Sequence, residues 1–243
     1  MRTPSMTAPL TPIVKKLIII NVMIWFLFVV IFKSFGLVDM FSLVPYKVFL
    51  EWNVWRPFTY MFLHGSGIFH IVFNMLMLWW LGAELEMRWG GKFFLIYYLV
   101  CGVGAALIYT LGMVIYYLFT SNVVPLGVPV VGASGAVYGL MLAYGMIFGD
   151  RVMYFMMMIP MKAKYMIMIL GGIEFMTLMS AGVNNQVANL AHLGGLITGF
   201  LFLVFWSDFK KRLKTGKKRG SKRGKLKLVV DNDDKSSSPK YWN

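Results

Sequence analysis

Four polar residues of types that can hydrolyse a peptide bond lie within or at the ends of long apolar segments of this sequence: Ser134, His192, His70 and Asn74. A serine hydroxyl is a weak nucleophile until a base takes its proton, and the imidazole of histidine titrates near neutral pH. Asparagine and neutral histidine side chains can donate hydrogen bonds to an oxyanion that develops during acyl transfer. These residue types therefore indicate peptide hydrolysis, provided that the fold brings them together.

Each of these residues also has a plain structural interpretation. A single serine in a membrane helix usually donates to its own backbone, and a single histidine or asparagine often forms a hydrogen bond between helices. Residue types alone therefore leave a transporter or a channel at least as open as a protease. The positions of these residues along the predicted helices have to distinguish a protease from a transporter or a channel.

The apolar segments predict an all-α membrane protein. The sequence is 58% hydrophobic with a mean hydropathy of +0.67, whereas soluble domains are about 45–50% apolar. The apolar residues are gathered into runs near the ~20 residues that cross a bilayer as a helix. We expect a polytopic bundle of six transmembrane helices at about Leu17–Phe32, Ile68–Gly82, Phe93–Phe119, Ser134–Phe148, Tyr165–Val183 and Val187–Trp206.

The first of these runs has a second interpretation as a cleaved signal peptide. Residues 34–36 resemble a small-residue cleavage site, but Lys33 separates them from the apolar run and alanine is absent. We therefore expect this segment to remain as the first transmembrane helix.

Charge divides the chain into three regions. Residues 1–16 form a short head, residues 17–206 the six-span membrane domain, and residues 207–243 a basic tail that we expect to be disordered. Of the 24 lysines and arginines behind the net charge of +14, 11 lie between Lys210 and Lys227, after the last span. Such a cluster favours cytoplasmic termini and contact with anionic membrane lipid over nucleic-acid binding. We predict a multi-pass protein of the cell (inner) membrane with both termini in the cytoplasm.

Helix geometry predicts that the polar residues share one depth in the membrane. Ser134, His192 and His70 each lie 12–14 residues from the inner end of their span, which is about 18–21 Å at 1.5 Å per residue. The hydrocarbon core is ~30 Å thick. All three residues therefore lie at similar depths below the outer surface, around one cavity that outside water can reach.

Four short motifs, in order along the chain, resemble those of the rhomboid family of intramembrane serine proteases. They are Trp55–Arg56, His70–Asn74 (HIVFN), Gly132–Gly135 (GASG, with Tyr138 one turn later) and Ala191–Gly195 (AHLGG, with Gly199 four residues later). The resemblance extends over about Lys15–Trp206. A single GxSG motif is a weak signal, but four motifs in order on a six-span chain are a strong one.

The resemblance implies a role for each motif residue. Ser134 is then the nucleophile and His192 the general base of a Ser–His dyad without a carboxylate, and none of the aspartates lies within a predicted span. His70, Asn74 and the Ser134 backbone N–H would stabilise the oxyanion. Tyr138 would pack against His192 and orient it.

The glycines of these motifs predict a close contact between the fourth and sixth spans. Gly135 and Gly139 have the same i, i+4 spacing as Gly195 and Gly199, and small residues at this spacing let two helices approach closely. Gly132, just before the nucleophile, belongs to the same supporting set of residues. Glu174, near the middle of the fifth span, has two interpretations: pairing with a polar neighbour, or substrate gating.

The resemblance thus implies an intramembrane serine endopeptidase that cleaves peptide bonds within or next to transmembrane segments of its substrates. A catalytically inactive rhomboid-like protein that binds membrane clients is the alternative, and a transporter subunit is a more distant one. The sequence has one cysteine, Cys101, and no HExxH or CxxC motif, so we predict neither a metal nor another cofactor. The expected partners are transmembrane protein substrates and membrane lipid, and the oligomeric state stays open.

Overall fold

The computed structural model describes residues 9–32, 35–155, 159–180 and 187–220, and this part of the chain is mostly helical. Its helices are α1 (Pro12–Trp25), α2 (Phe35–Phe41), α3 (Pro45–Phe49), α4 (Arg56–Thr59), α5 (Ile68–Trp89), α6 (Gly91–Thr120), α7 (Ser134–Ile147), α8 (Ala163–Ser180) and α9 (Val187–Gly220). A π-helical segment, Phe26–Ile31, extends α1, and 3-10 turns at Tyr60–Phe62 and Val124–Gly127 lie in the loops.

Five of the described helical segments are long and apolar enough to cross a membrane: Pro12–Ile31, Ile68–Trp89, Gly91–Thr120, Ala163–Ser180 and Ala188–Asp208. The chain is therefore a multi-pass membrane protein. The fourth predicted span corresponds to α7, which has 14 residues and a length of about 21 Å. The hydrocarbon core is ~30 Å thick, so five of the six predicted spans meet the length criterion in the described residues, and α7 is a shorter apolar helix.

Helix α7 can be short within the membrane because other helices surround it. It packs against α5, α6 and α8 and buries eight of its 14 residues. Backbone that leaves a helix at membrane depth is tolerated where protein buries it or where it lines a water-filled cavity. The segment before Ser134 meets this condition, since Leu43 and Val130 pair their backbones there through hydrogen bonds of 2.9 and 2.8 Å.

Helices α7 and α9 touch through their glycines, as the spacing predicts. A Cβ atom on Gly195 would overlap the carbonyl oxygen of Gly135, and one on Gly199 would lie 3.3 Å from the Cα of Gly139. Helix α6 braces the same contact, because the Tyr97 hydroxyl donates a 2.8 Å hydrogen bond to the Gly139 carbonyl. Two turns of α9 are thereby held at backbone distance from α7.

Helix α1 begins five residues before the predicted span because a carboxylate from α5 caps it. Glu86 is buried, and its side chain accepts hydrogen bonds from the Thr11 hydroxyl (2.5 Å) and from the backbone N–H groups of Ile13 (3.0 Å) and Val14 (2.9 Å). The first N–H groups of a helix have no partner within it, and negative charge is favourable at that end. The cap therefore sets where the helix starts.

The expectation of an all-α chain is wrong in one place. Strands β1 (Val152–Phe155) and β2 (Ile159–Lys162) form an antiparallel pair between α7 and α8, in the register Val152↔Lys162 to Phe155↔Ile159. β-Branched and aromatic residues such as Val152 and Tyr154 favour extended backbone.

The chain divides into two compact units, Met1–Phe205 and Trp206–Asn243. Helix α9 continues to Gly220, so residues 207–220 are helical where we expected the disordered tail to begin. Residues 1–8 of the predicted head and residues 221–243 of the predicted tail lie outside the described residues.

The glycine contact predicts an asymmetry between two glycine-to-alanine substitutions. We expect Gly195→Ala to lower the free energy of unfolding by about 1–3 kcal/mol, because its methyl group meets backbone that cannot move aside. Gly172→Ala on α8 is the matched control, since a Cβ there meets nothing within 4 Å and alanine favours helix by about 1 kcal/mol. Thermal unfolding in detergent measures both variants, and equal midpoints would contradict the contact.

Candidate active site

A cavity of about 500 Å³ opens between α5, α7, α8 and α9. Most of its wall is apolar. Its polar side chains include Ser134, His192, His70, Asn74 and Tyr138. Its volume falls within the ~300–1,000 Å³ typical of ligand-binding clefts. The structure therefore brings the five polar residues of the sequence motifs to one cavity.

Ser134 is placed by a turn that requires glycine. Gly132 has φ +127°, which L side chains rarely adopt, and a Cβ atom on it would lie 2.9 Å from His70 Nε2. The Gly132 N–H donates a 3.0 Å hydrogen bond to the Tyr60 carbonyl. Helix α7 begins two residues later at Ser134, so the unpartnered N–H groups of its first turn lie next to the serine hydroxyl.

The serine and the histidine are in hydrogen-bond contact. His192 Nε2 lies 2.8 Å from Ser134 Oγ, although 58 residues separate them along the chain. Tyr138 stacks on the histidine, with ring centroids 4.2 Å apart and planes 11° from parallel. The glycine contact between α7 and α9 makes this approach possible.

A carboxylate occupies the other side of the histidine. Glu174 Oε1 lies 2.9 Å from His192 Nδ1, and the Tyr138 hydroxyl donates to the same oxygen. The expectation of a histidine without a carboxylate partner is therefore wrong, and pairing with a polar neighbour is the interpretation of Glu174 that this contact supports. The sequence held one signal for it, since an acidic residue in mid-span is costly and marks a polar partner.

His70 and Asn74 lie on one face of α5, beside the serine. The Gly65 N–H donates to His70 Nδ1 at 3.4 Å, while the Nε2 side of the ring faces Gly132. Asn74 Nδ2 donates a 2.8 Å hydrogen bond to the carbonyl of His70 on its own helix. One amide hydrogen of Asn74 is thus used within α5, and its second remains available.

The tryptophan–arginine motif supports the site from the first loop. Arg56 is buried, and its Nη1 donates hydrogen bonds to the carbonyls of Asp39 (2.6 Å) and Ser42 (2.7 Å). The next residue, Leu43, pairs with Val130, two residues before the Gly132 turn. The motif therefore acts through the loop backbone rather than at the cavity, and the sequence did not indicate the link to Val130.

The part of the chain that the structure describes contains no cluster of candidate metal ligands. No three histidine, cysteine, aspartate or glutamate side chains converge there in a way that could hold an ion. The chemistry that the arrangement supports is nucleophilic attack by a serine with a histidine as base.

Comparison with known proteins shows which family the chain resembles. The Rhomboid domain model matches residues 51–209. RHOMBOID-like protein 1 of Arabidopsis thaliana is 32% identical over 151 residues, which cover 61% of this chain and 33% of the relative. RHOMBOID-like protein 6, mitochondrial, of the same plant is 29% identical over 185 residues (72% and 54%). Rhomboid protease GlpG of Yersinia enterocolitica is 30% identical over 167 residues (67% and 51%).

The matched region contains both Ser134 and His192 and covers more than half of the chain. The chain belongs to the rhomboid family. It spans between 33% and 54% of the length of these three relatives.

Beside the cavity, the buried His64 predicts a pH dependence of stability. Its ring lies 5.3 Å from that of His70, and burial, with that neighbour, lowers the pKa of His64 from 6.5 to about 3. A histidine held neutral in the folded state contributes stability above pH 6.5 that is lost as the pH falls toward 3. At pH 5 this loss is about 2 kcal/mol. The thermal unfolding midpoint of the wild type should therefore be lower at pH 5 than at pH 7.

His64→Phe isolates this contribution. The variant should show a shallower decline of the midpoint between pH 7 and pH 5, whatever its absolute stability, because its unfolded chain has no imidazole at position 64 to take up a proton. The measurement compares slopes within each variant by scanning fluorimetry in one detergent. Parallel slopes for the two proteins would mean that His64 is not the group that titrates.

Proposed function

We propose that the protein is an intramembrane serine endopeptidase that cleaves peptide bonds within or next to transmembrane segments of other membrane proteins. The observation that carries the proposal is the 2.8 Å contact between Ser134 Oγ and His192 Nε2 at a cavity among membrane helices. The relative named Rhomboid protease GlpG supports the same reaction class. No metal or other cofactor enters the mechanism.

The chemistry follows from the two ring nitrogens of His192. Nε2 accepts the Ser134 hydroxyl proton as Oγ forms a bond to the carbonyl carbon of the scissile peptide. The proton then passes from Nε2 to the leaving amine nitrogen, the C–N bond breaks, and an acyl-enzyme remains on Ser134. A water molecule gives a proton to Nε2, attacks the ester and releases the new carboxyl terminus, so Ser134 regains its hydroxyl.

Three donors surround the place where the oxyanion develops. The Gly65 N–H donates to His70 Nδ1, which leaves the proton of the neutral ring on Nε2, the nitrogen that faces the Gly132 turn. The second amide hydrogen of Asn74 and the Ser134 N–H at the start of α7 complete the set. Preorganised donors of this kind stabilise a developing charge without reorganising during the reaction.

The substrate has to lose helical structure before it can react, because a helix hydrogen-bonds the carbonyls that Ser134 attacks. We propose that substrates are transmembrane helices with small or helix-weakening residues at the cleavage site, as the family resemblance implies. The apolar wall of the cavity suits such residues.

The membrane arrangement is part of the proposal. We infer six membrane helices, with α7 as the short one, in the cell (inner) membrane with both termini cytoplasmic. The domain layout is a head at 1–16, a catalytic membrane domain at 17–206 and a basic cytoplasmic tail at 207–243. Charge supports it, since 13 of the 24 basic residues follow the last span.

The first test compares the purified wild type with Ser134→Ala and His192→Ala on a single-span substrate in liposomes. We expect each substitution to lower cleavage by at least roughly 10³-fold. Ser180→Ala is the matched control, because that serine donates to the Met176 carbonyl of its own helix and should leave cleavage unchanged. Cleavage that survives Ser134→Ala would overturn the proposal, and a folded wild type that cleaves nothing would favour a client-binding protein.

The oxyanion donors predict a loss in kcat rather than a rise in KM. We expect His70→Ala and Asn74→Ala each to lower kcat by roughly 10–10³-fold, because the donors act on charge that exists in the transition state. Asn53→Ala, in the exposed first loop, is the control and should match the wild type. A rise in KM at constant kcat would assign both residues to substrate binding instead.

A further inference from the structure

Glu174 is a carboxylate in the middle of a membrane helix, turned inward. Its side chain is 12% exposed, whereas its neighbours on α8, Phe175 and Met176, are 54% and 69% exposed. A carboxylate is expensive at this depth unless it is paired. The residue therefore faces the cavity side of α8 rather than lipid, and its partners are the ones that the site contains.

Both partners of Glu174 belong to the site described above. Its Oε1 lies 2.9 Å from His192 Nδ1 and accepts a hydrogen bond from the Tyr138 hydroxyl. Ser134 Oγ lies 2.8 Å from the opposite ring nitrogen. Serine, imidazole and carboxylate thus lie in one line across α7, α9 and α8.

An ionised carboxylate accepts hydrogen bonds and donates none. Contact with Glu174 therefore requires that Nδ1 of the neutral His192 carries the ring hydrogen. Nε2 then presents a lone pair to the serine hydroxyl, which is the tautomer that a general base needs. Without the carboxylate, the imidazole can adopt either tautomer. The tautomer with its hydrogen on Nε2 cannot accept the serine proton there.

We propose that Glu174 is a positioning residue of the reaction, whose carboxylate holds His192 in its basic tautomer and stabilises the imidazolium that forms when Ser134 attacks. The inference rests on the proposed protease function and goes beyond the dyad that the family resemblance implies. The proton balance is unchanged: the Ser134 proton moves to Nε2 and then to the leaving amine, Nδ1 keeps its hydrogen, and Glu174 stays ionised.

Tyr138 serves the same array in two ways. Its ring stacks on the face of His192 at 4.2 Å, and its hydroxyl holds the carboxylate that lies at the edge of the histidine. Tyr138→Phe keeps the stacking and removes the hydroxyl. The two contributions of Tyr138 are therefore separable by experiment.

The test measures the rate at which a fluorescent fluorophosphonate labels Ser134 in the full-length protein, together with cleavage of the single-span substrate. The small probe reports on nucleophile activation and does not need entry of a helix. We expect Glu174→Gln to lower both rates by roughly tenfold or more and Glu174→Asp to recover part of the loss. Glu84→Gln is the matched control, because Glu84 pairs with Arg151 outside the cavity and its removal should change neither rate.

The pH profile separates a positioning role from a structural one. The titratable groups that face His192 are Glu174 on α8, Tyr138 on α7 and His70 on α5. Glu174→Gln replaces the charge by a neutral amide of the same shape, so protonated His192 loses its counter-charge. We expect the acidic limb of the labelling profile to move to lower pH in this variant and to stay in place in Glu84→Gln.

Two results would overturn the inference. One is a Glu174→Gln protein that labels within twofold of the wild type with the same pH profile. The other is a Glu174→Gln protein that labels at the wild-type rate but no longer cleaves the single-span substrate, which would make Glu174 a gate. If Glu174→Gln does not fold, Tyr138→Phe decides: reduced labelling supports the array, and unchanged labelling overturns it. Failure of the wild type itself to be labelled, or cleavage by Ser134→Ala, would refute the protease function instead.

Discussion

The approach of α9 to α7 is the constraint on which the site depends. Gly195 lies so close to Gly135 that no side-chain atom fits between the two helices. Because this contact is made backbone to backbone, it leaves little freedom for the helices to slide or separate. Ser134 and His192 lie at one end of it, and their 2.8 Å separation follows from it. In lipid, where apolar burial does not drive helices together, such close packing supplies much of the cohesion.

The polar groups of the site form a nearly closed set, as their membrane depth demands. Each of Ser134, His192, Tyr138 and Glu174 has another member of the set as a partner. An unpaired polar group in hydrocarbon costs several kcal/mol, so this pairing keeps the site stable as well as oriented. The geometry of the site and the stability of the bundle thus rest on the same contacts.

Long-range partners also satisfy backbone groups at the start of α1 and in the first loop. Glu86 of α5 caps the start of α1, and Arg56 holds the loop carbonyls of Asp39 and Ser42. Each is a buried charged group that forms at least two hydrogen bonds with backbone. A membrane protein cannot leave such backbone groups to water. Glu86 therefore ties the start of α1 to α5, and Arg56 holds two parts of the first loop together.

The sequence by itself determined the membrane class, the approximate helices and the identity of the motif residues, because hydropathy and short motifs are local properties of the chain. It also indicated the contact between α7 and α9, since glycine spacing marks one face of a helix. Only the tertiary structure decided that β1 and β2 pair and that Glu174 meets His192. The last contact joins residues 18 apart on two helices, and it depends on the rotation of α8 about its axis. An apolar helix between lipid and protein is nearly apolar all round, so hydropathy leaves that rotation open, and packing against neighbouring helices sets it.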